Sequence, residues 1–174
     1  MVDDMTELLW TCVPHGELTA PDAAQIARLK DEHWRHGIES QLQWMRTHHA
    51  ADDLHLLGRD ESGALLAYLT LTRVNAAFDG REAQLSGVGS VCVEKSVSRR
   101  GLGRLLMKKA GEYLSGGGIL LCKDALRPFY EKCGWAVAEA AETTVAGERF
   151  AHLVMLYPAQ SARRYDEITV DKNF

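Results

Sequence analysis

Val91-Cys-Val-Glu-Lys-Ser-Val-Ser-Arg-Arg-Gly-Leu-Gly-Arg104 is the stretch whose reading decides the fold. It starts as the end of an apolar strand, Val91-Cys92-Val93. A basic turn with two glycines follows, and a helix begins at once, its apolar members Leu102, Leu105, Leu106, Ala110, Tyr113 and Leu114 at helical spacing. Gly101 and Gly103 allow close backbone approach and positive φ. The first amides of a helix have no internal partner and point out at the positive end of its dipole. Arg99, Arg100 and Arg104 add charge around that point. Such a turn suits a pyrophosphate; its plain alternative is a glycine turn with solvated arginines. GxxxxGK[ST] is absent, which excludes a P-loop, and the third glycine position of GxGxxG is Leu106, which argues against a dinucleotide fold.

Working outward, Ser115-Gly-Gly-Gly118 ends the helix, and Ile119 to Cys122 reads as a short strand buried on both faces. A strand, a helix and a second strand in this order demand a parallel crossover. Upstream, Asp53–Arg59, Ala64–Val74 and Glu82–Val93 read as a meander, with a turn at Asp60–Gly63 and a hairpin signal at Asp79-Gly80. Further back, Glu7–Val13 is a first strand. Thr19-Ala-Pro-Asp22 opens a helix running towards Gly37, and Ser40–His49 forms a second. Downstream, a short helix over Ala125–Lys132 precedes two strands, Trp135–Glu139 and Arg149–Tyr157, joined by a polar connection. The polar tail after Pro158 is expected to be peripheral. The order is β-α-α-β-β-β-α-β-α-β-β. It predicts an α+β fold: a mixed central sheet, mostly antiparallel, with one parallel β-α-β crossover and helices on both faces, in a single domain over residues 1–174.

Composition narrows the function. The 174 residues are 46% hydrophobic and 25% charged, an ordinary globular mixture that excludes disorder and coiled coil. Twenty basic against 24 acidic residues leave a net charge of −4, with no basic footprint for nucleic acid. No apolar run reaches the roughly 18 residues of a membrane span. The opening MVDDMTELLW is acidic where a secretory leader is basic, so a cytoplasmic protein is expected. Cys12, Cys92, Cys122 and Cys133 form no CxxC pair and read as buried free thiols. His33 and His36, and the adjacent His48 and His49, have no third ligand at metal spacing, so no metal is expected.

A second stretch, Phe129-Tyr-Glu-Lys-Cys-Gly-Trp135, sits on the short helix after Ile119–Cys122. Tyr130 there suits proton donation, though an aromatic pair on a short helix also serves packing. Together, Ser98-Arg-Arg-Gly-Leu-Gly103 and Phe129–Trp135 resemble the coenzyme A site of the GNAT acyltransferase superfamily. The element order resembles it from Glu7 to Tyr157. Within the superfamily, Phe129–Trp135 and the Cys122-Lys-Asp124 before it look most like aminoglycoside 2′-N-acetyltransferases.

The resemblance implies an acetyl-CoA-dependent N-acyltransferase without a metal, acting on a primary amine of an unidentified acceptor, most simply a small molecule, in a family whose members are often homodimers. It implies that Val91, Cys92 and Val93 meet the pantetheine arm. Ser98, Arg99, Arg100, Gly101, Leu102, Gly103 and Arg104 would cradle the pyrophosphate. Tyr130 would protonate the departing thiolate, and Trp34, His33, His36 and Trp44, if they are not ordinary helix residues, would line the acceptor pocket. Ser98 stands where the family pattern has Gln or Arg. Gly89 stands where many members carry a glutamate base. Glu94 and Glu82 read as solvated carboxylates. The missing base keeps a non-catalytic acyl-CoA sensor as the alternative, and a protein-modifying acetyltransferase is a further one.

Overall fold

The computed structural model describes residues 7–174. They form two compact units. One holds residues up to Leu71 together with Ser90–Ala110, the other Thr72–Gly89 together with Gly111–Phe174.

In the first unit, β1 (Leu9–Pro14) pairs antiparallel with β2 (Leu54–Arg59), with Leu9 opposite Arg59 and Pro14 opposite Leu54. β2 pairs in turn with the start of β3 (Leu65–Phe78). The unit also holds the last residues of β4 (Arg81–Val93), where the Glu94 amide donates to the Leu66 carbonyl at 2.8 Å. Helices α1 (Ala20–His33) and α2 (Ile38–His48) pack here. α1 starts where its sequence says it should. The Thr19 hydroxyl accepts from the Asp22 amide, Pro21 occupies the first turn, and Asp22 lies at the positive dipole end. Its buried face is Ile26, Ala27, Leu29 and Lys30, of which Ile26 and Leu29 meet Met45, Leu57, Tyr68 and Cys92 in one core. Burial of such side chains at about 25 cal/mol per Å² is what holds the helix down.

In the second unit, β4 pairs in parallel with β5 (Gly118–Cys122), Ser86 opposite Gly118. The chain between them runs through a helix, α3 (Leu102–Ala110), giving the expected β-α-β crossover. β5 pairs antiparallel with β9 (Leu153–Tyr157), and β9 with β6 (Ala136–Val137). The short α4 spans Arg127–Glu131. The hairpin between β3 and β4 turns on Asp79 and Gly80, both at positive φ (+49° and +77°), as an Asp-Gly turn requires.

The fold class is thus a mixed sheet with parallel and antiparallel pairs, as the sequence predicts. Two expectations fail in the second unit. The polar connection after Glu139 contains β7 (Glu139–Val145), which forms a hairpin with β8 (Glu148–Arg149). The tail after Pro158 is not peripheral. It forms β10 (Arg164–Val170), parallel to β7 on one side and antiparallel to β3 on the other. Ile168 and Val170 are buried in the same core as Val74, Ile119 and Leu156. Both strands hide for one reason. Each carries its charged residues exposed and only one or two fully buried positions, so pairing on both edges of β10, which no periodicity reveals, is what makes it a strand.

Candidate acyl-CoA site

The first unit gathers nearly all the residues the sequence singles out. β4 delivers Val91, Cys92 and Val93. Cys92 is buried among Ile26, Leu29 and Tyr68, so alternation turns the Val91 and Val93 side chains the other way. Burial pushes the Cys92 thiol up to about 12, against the pull of Lys30, so it stays neutral and packs as an apolar side chain. A short 3-10 turn, Lys95–Val97, follows. Glu94 caps it: its Oε2 accepts from the Ser96 hydroxyl and, at 3.1 Å, from the Ser96 amide. These bonds hold the Glu94 carboxyl below its ordinary value. Glu94 is therefore a turn-forming carboxylate, more specific in role than the solvated charge read from sequence.

Ser98 donates its hydroxyl to the Lys95 carbonyl at 2.8 Å, so its ordinary task is to close the turn. Arg99, Arg100, Gly101 and Arg104 are exposed, with Leu102 and Gly103 half-buried. Arg99 and Gly101 both have positive φ, +71° and +82°. A side chain at Gly101 would meet nothing within 4 Å, which leaves open space in front of the turn. The first intrahelical bond of α3 runs from the Leu105 amide to the Gly101 carbonyl. The amides before it belong to the unsatisfied first turn and carry the positive end of the dipole. Three arginines, an open backbone and a helix start make a turn whose charge and space fit a diphosphate.

The end of α1 meets the end of β4. His33 Nε2 lies 2.7 Å from the Val93 carbonyl oxygen, and Glu32 Oε2 accepts from the Lys95 amide at 3.2 Å. One turn earlier, the buried Lys30 holds its ammonium 4.3 Å from the centre of the Trp44 ring. Burial lowers Lys30 to about 8, with Cys92 acting the other way. Of the four aromatic and histidine residues weighed as pocket lining, His33 and Trp44 thus have specific partners. Trp34 is one of the exposed large apolar side chains.

Sequence reading missed a buried polar cluster in this unit. His15 Nδ1 is 2.9 Å from His55 Nε2, and His55 Nδ1 is 2.8 Å from the hydroxyl of the fully buried Tyr68. His49 Nδ1 pairs with Asp53 at 3.2 Å. Burial pushes His55 down to about 3 and also lowers His49, while it holds Tyr68 well above its ordinary value. These residues come from the turn after β1, the end of α2, β2 and β3, so no local spacing announces them. Among the described residues no group of three His, Cys, Asp or Glu side chains is arranged to hold a metal. Cys92 and Cys122 are buried thiols, whereas Cys12 and Cys133 are only half-buried, and none of the four is in a disulfide.

Tyr130 belongs to the second unit, on α4, and is almost wholly buried. Its ring lies edge-on to Phe129 at 5.0 Å, and its carbonyl accepts from the Cys133 and Trp135 amides.

Residues 51–137, half of the chain, match the acetyltransferase (GNAT) domain family. The chain belongs to that family. No curated protein matches it. Among solved structures it is similar to Escherichia coli ElaA, at 20% identity over 86% of this chain and 99% of that one, with a TM-score of 0.62. It is also similar to the E. coli GNAT N-acetyltransferase YhbS in complex with CoA, at 16% identity over 97% and 92%, TM-score 0.62. A GNAT acetyltransferase from Brucella melitensis in complex with acetyl-CoA matches at 20% identity over 74% and 83%, TM-score 0.54. At such identities the likeness is one of fold. Family and fold together assign this chain to acyl transfer in general, with coenzyme A as the carrier used by its relatives. No helix among the described residues is long and apolar enough to cross a membrane.

Proposed function

We propose that this protein is an N-acetyltransferase that moves the acetyl group of acetyl-CoA to a primary amine of a small-molecule acceptor, by direct attack in a ternary complex. The observation that carries this reading is the turn after β4. It is open, basic, at positive φ at Arg99 and Gly101, and continuous with the first turn of α3. In this reading the Val91 and Val93 backbone groups align the pantetheine arm as an added strand would. Arg99, Arg100, Arg104 and the amides from Gly101 to Arg104 bind the diphosphate. Tyr130 protonates the departing thiolate.

The narrower resemblance to aminoglycoside 2′-N-acetyltransferases finds no support in the comparisons, so the acceptor is set no more finely than a primary amine. A cytoplasmic setting goes with the reading, since four cysteines outside any disulfide suit a reducing compartment.

The test is a thermal-shift and turnover screen with acetyl-CoA and a panel of amines. Stabilisation by acetyl-CoA and release of coenzyme A with at least one amine are expected. Stabilisation with no turnover on any amine would favour the sensor reading, for which the absent side chain at Gly89 speaks. No stabilisation at all would remove the cofactor assignment.

A further inference from the structure

Attack of an amine on a thioester requires a group that takes the amine's proton. Gly89, where the resemblance would put a carboxylate, has no side chain. The first unit holds another candidate at the end of β4. His33 Nε2 stands 2.7 Å from the Val93 carbonyl oxygen. A carbonyl only accepts, so in the neutral ring Nε2 carries the proton and Nδ1 carries the lone pair. The ring is thereby held in the tautomer and orientation a base needs, and it is exposed to solvent.

Its support is firm. Glu32 accepts from the Lys95 amide, the Trp34 amide donates to the Lys30 carbonyl, and the Gln41 side chain donates to the Trp34 carbonyl at 2.6 Å. The Val93 oxygen keeps a second lone pair for an amide of the pantetheine arm.

We propose that His33 is the general base of the transfer, an assignment that rests on the acetyltransferase reading above. The amine lone pair forms the new C–N bond at the thioester carbon. The C–S bond breaks, and its electron pair leaves on sulfur. The proton lost from nitrogen passes to His33 Nδ1 and from there to solvent. The titratable and charged groups beside His33 are Lys30, Asp31, Glu32, Arg35 and His36 around the end of α1, and Cys92, Glu94 and Lys95 at the end of β4.

The experiment compares wild type with His33→Gln and His33→Ala, using acetyl-CoA and a panel of a polyamine, an aminoglycoside, a free amino acid and a lysine peptide. Glutamine can still donate to the Val93 oxygen but has no basic nitrogen. His33→Gln should keep the wild-type thermal shift with acetyl-CoA and lower kcat/KM for the amine by about 10²-fold or more. It should also lose the acidic limb of the pH profile, and added imidazole should restore part of the activity of His33→Ala. A His33→Gln protein with wild-type turnover and an unchanged acidic limb overturns the assignment and leaves the acetyltransferase reading standing. A wild type that binds acetyl-CoA and acetylates no amine overturns both.

Discussion

Two residues carry the sharpest expectations. Tyr130 is packed against Phe129, so Tyr130→Phe keeps the ring and removes only the hydroxyl. Proton donation of this kind contributes about 10²–10⁴-fold, and kcat should fall within that range while acetyl-CoA affinity stays at the wild-type value. Unchanged turnover with a reactive amine would make Tyr130 a packing residue. His55 sets the acid stability of the first unit. Its folded value, about 3, lies below the ordinary 6.5, so the unfolded chain binds more protons between those values. Its contribution is complete above about pH 6.5 and is lost progressively as the pH falls towards 3, at up to about 1.4 kcal/mol per unit. His49, lowered in the same direction, adds to the loss. Melting temperatures should therefore fall faster between pH 7 and 5 in wild type than in His55→Gln. Parallel curves would show that the cluster does not govern acid unfolding.

At the scale of elements, the turn from Ser98 to Arg104 is where binding is expected to reside. Gly103→Glu places a carboxylate at the start of α3, where it occupies the positive dipole end itself and repels an incoming phosphate, and should abolish the acetyl-CoA thermal shift. A full shift in the folded variant would put the ligand elsewhere. Arg100 and Arg104 are exposed, so each phosphate contact is worth only about 0.5–1.5 kcal/mol after screening. Arg100→Ala and Arg104→Ala should each weaken coenzyme A by a few-fold to tenfold and leave a phosphate-free pantetheine fragment unaffected. Equal losses for both ligands would mean that the arginines act on the fold. The turn was legible in the sequence because glycine, arginine and a helical stripe are local signals. The contact of His33 with Val93 was not, because it joins residues 60 positions apart.

At the scale of the molecule, the second unit depends on a strand that looks dispensable. Ile168 is fully buried on β10, with β3 on one side and β7 on the other. Ile168→Ala should cost about 2–5 kcal/mol, or some 5–15 °C in Tm for a chain of this size. Asp166→Ala, exposed on the same strand, should shift it by less than about 2 °C. Similar Tm values for the two variants would show that β10 is not part of the cooperative core.

By itself the sequence determined the element order up to Cys122, the parallel crossover, the Asp79-Gly80 hairpin, the capped start of α1 and the basic turn before α3. Each is written in contiguous residues through caps, turn chemistry and periodicity. Tertiary structure alone decided that β7 and β10 are strands, that His15, His49, His55 and Tyr68 form a buried cluster, and that His33 rests on β4. Those outcomes depend on pairing and burial between distant segments, whose free energy appears only when the partners meet.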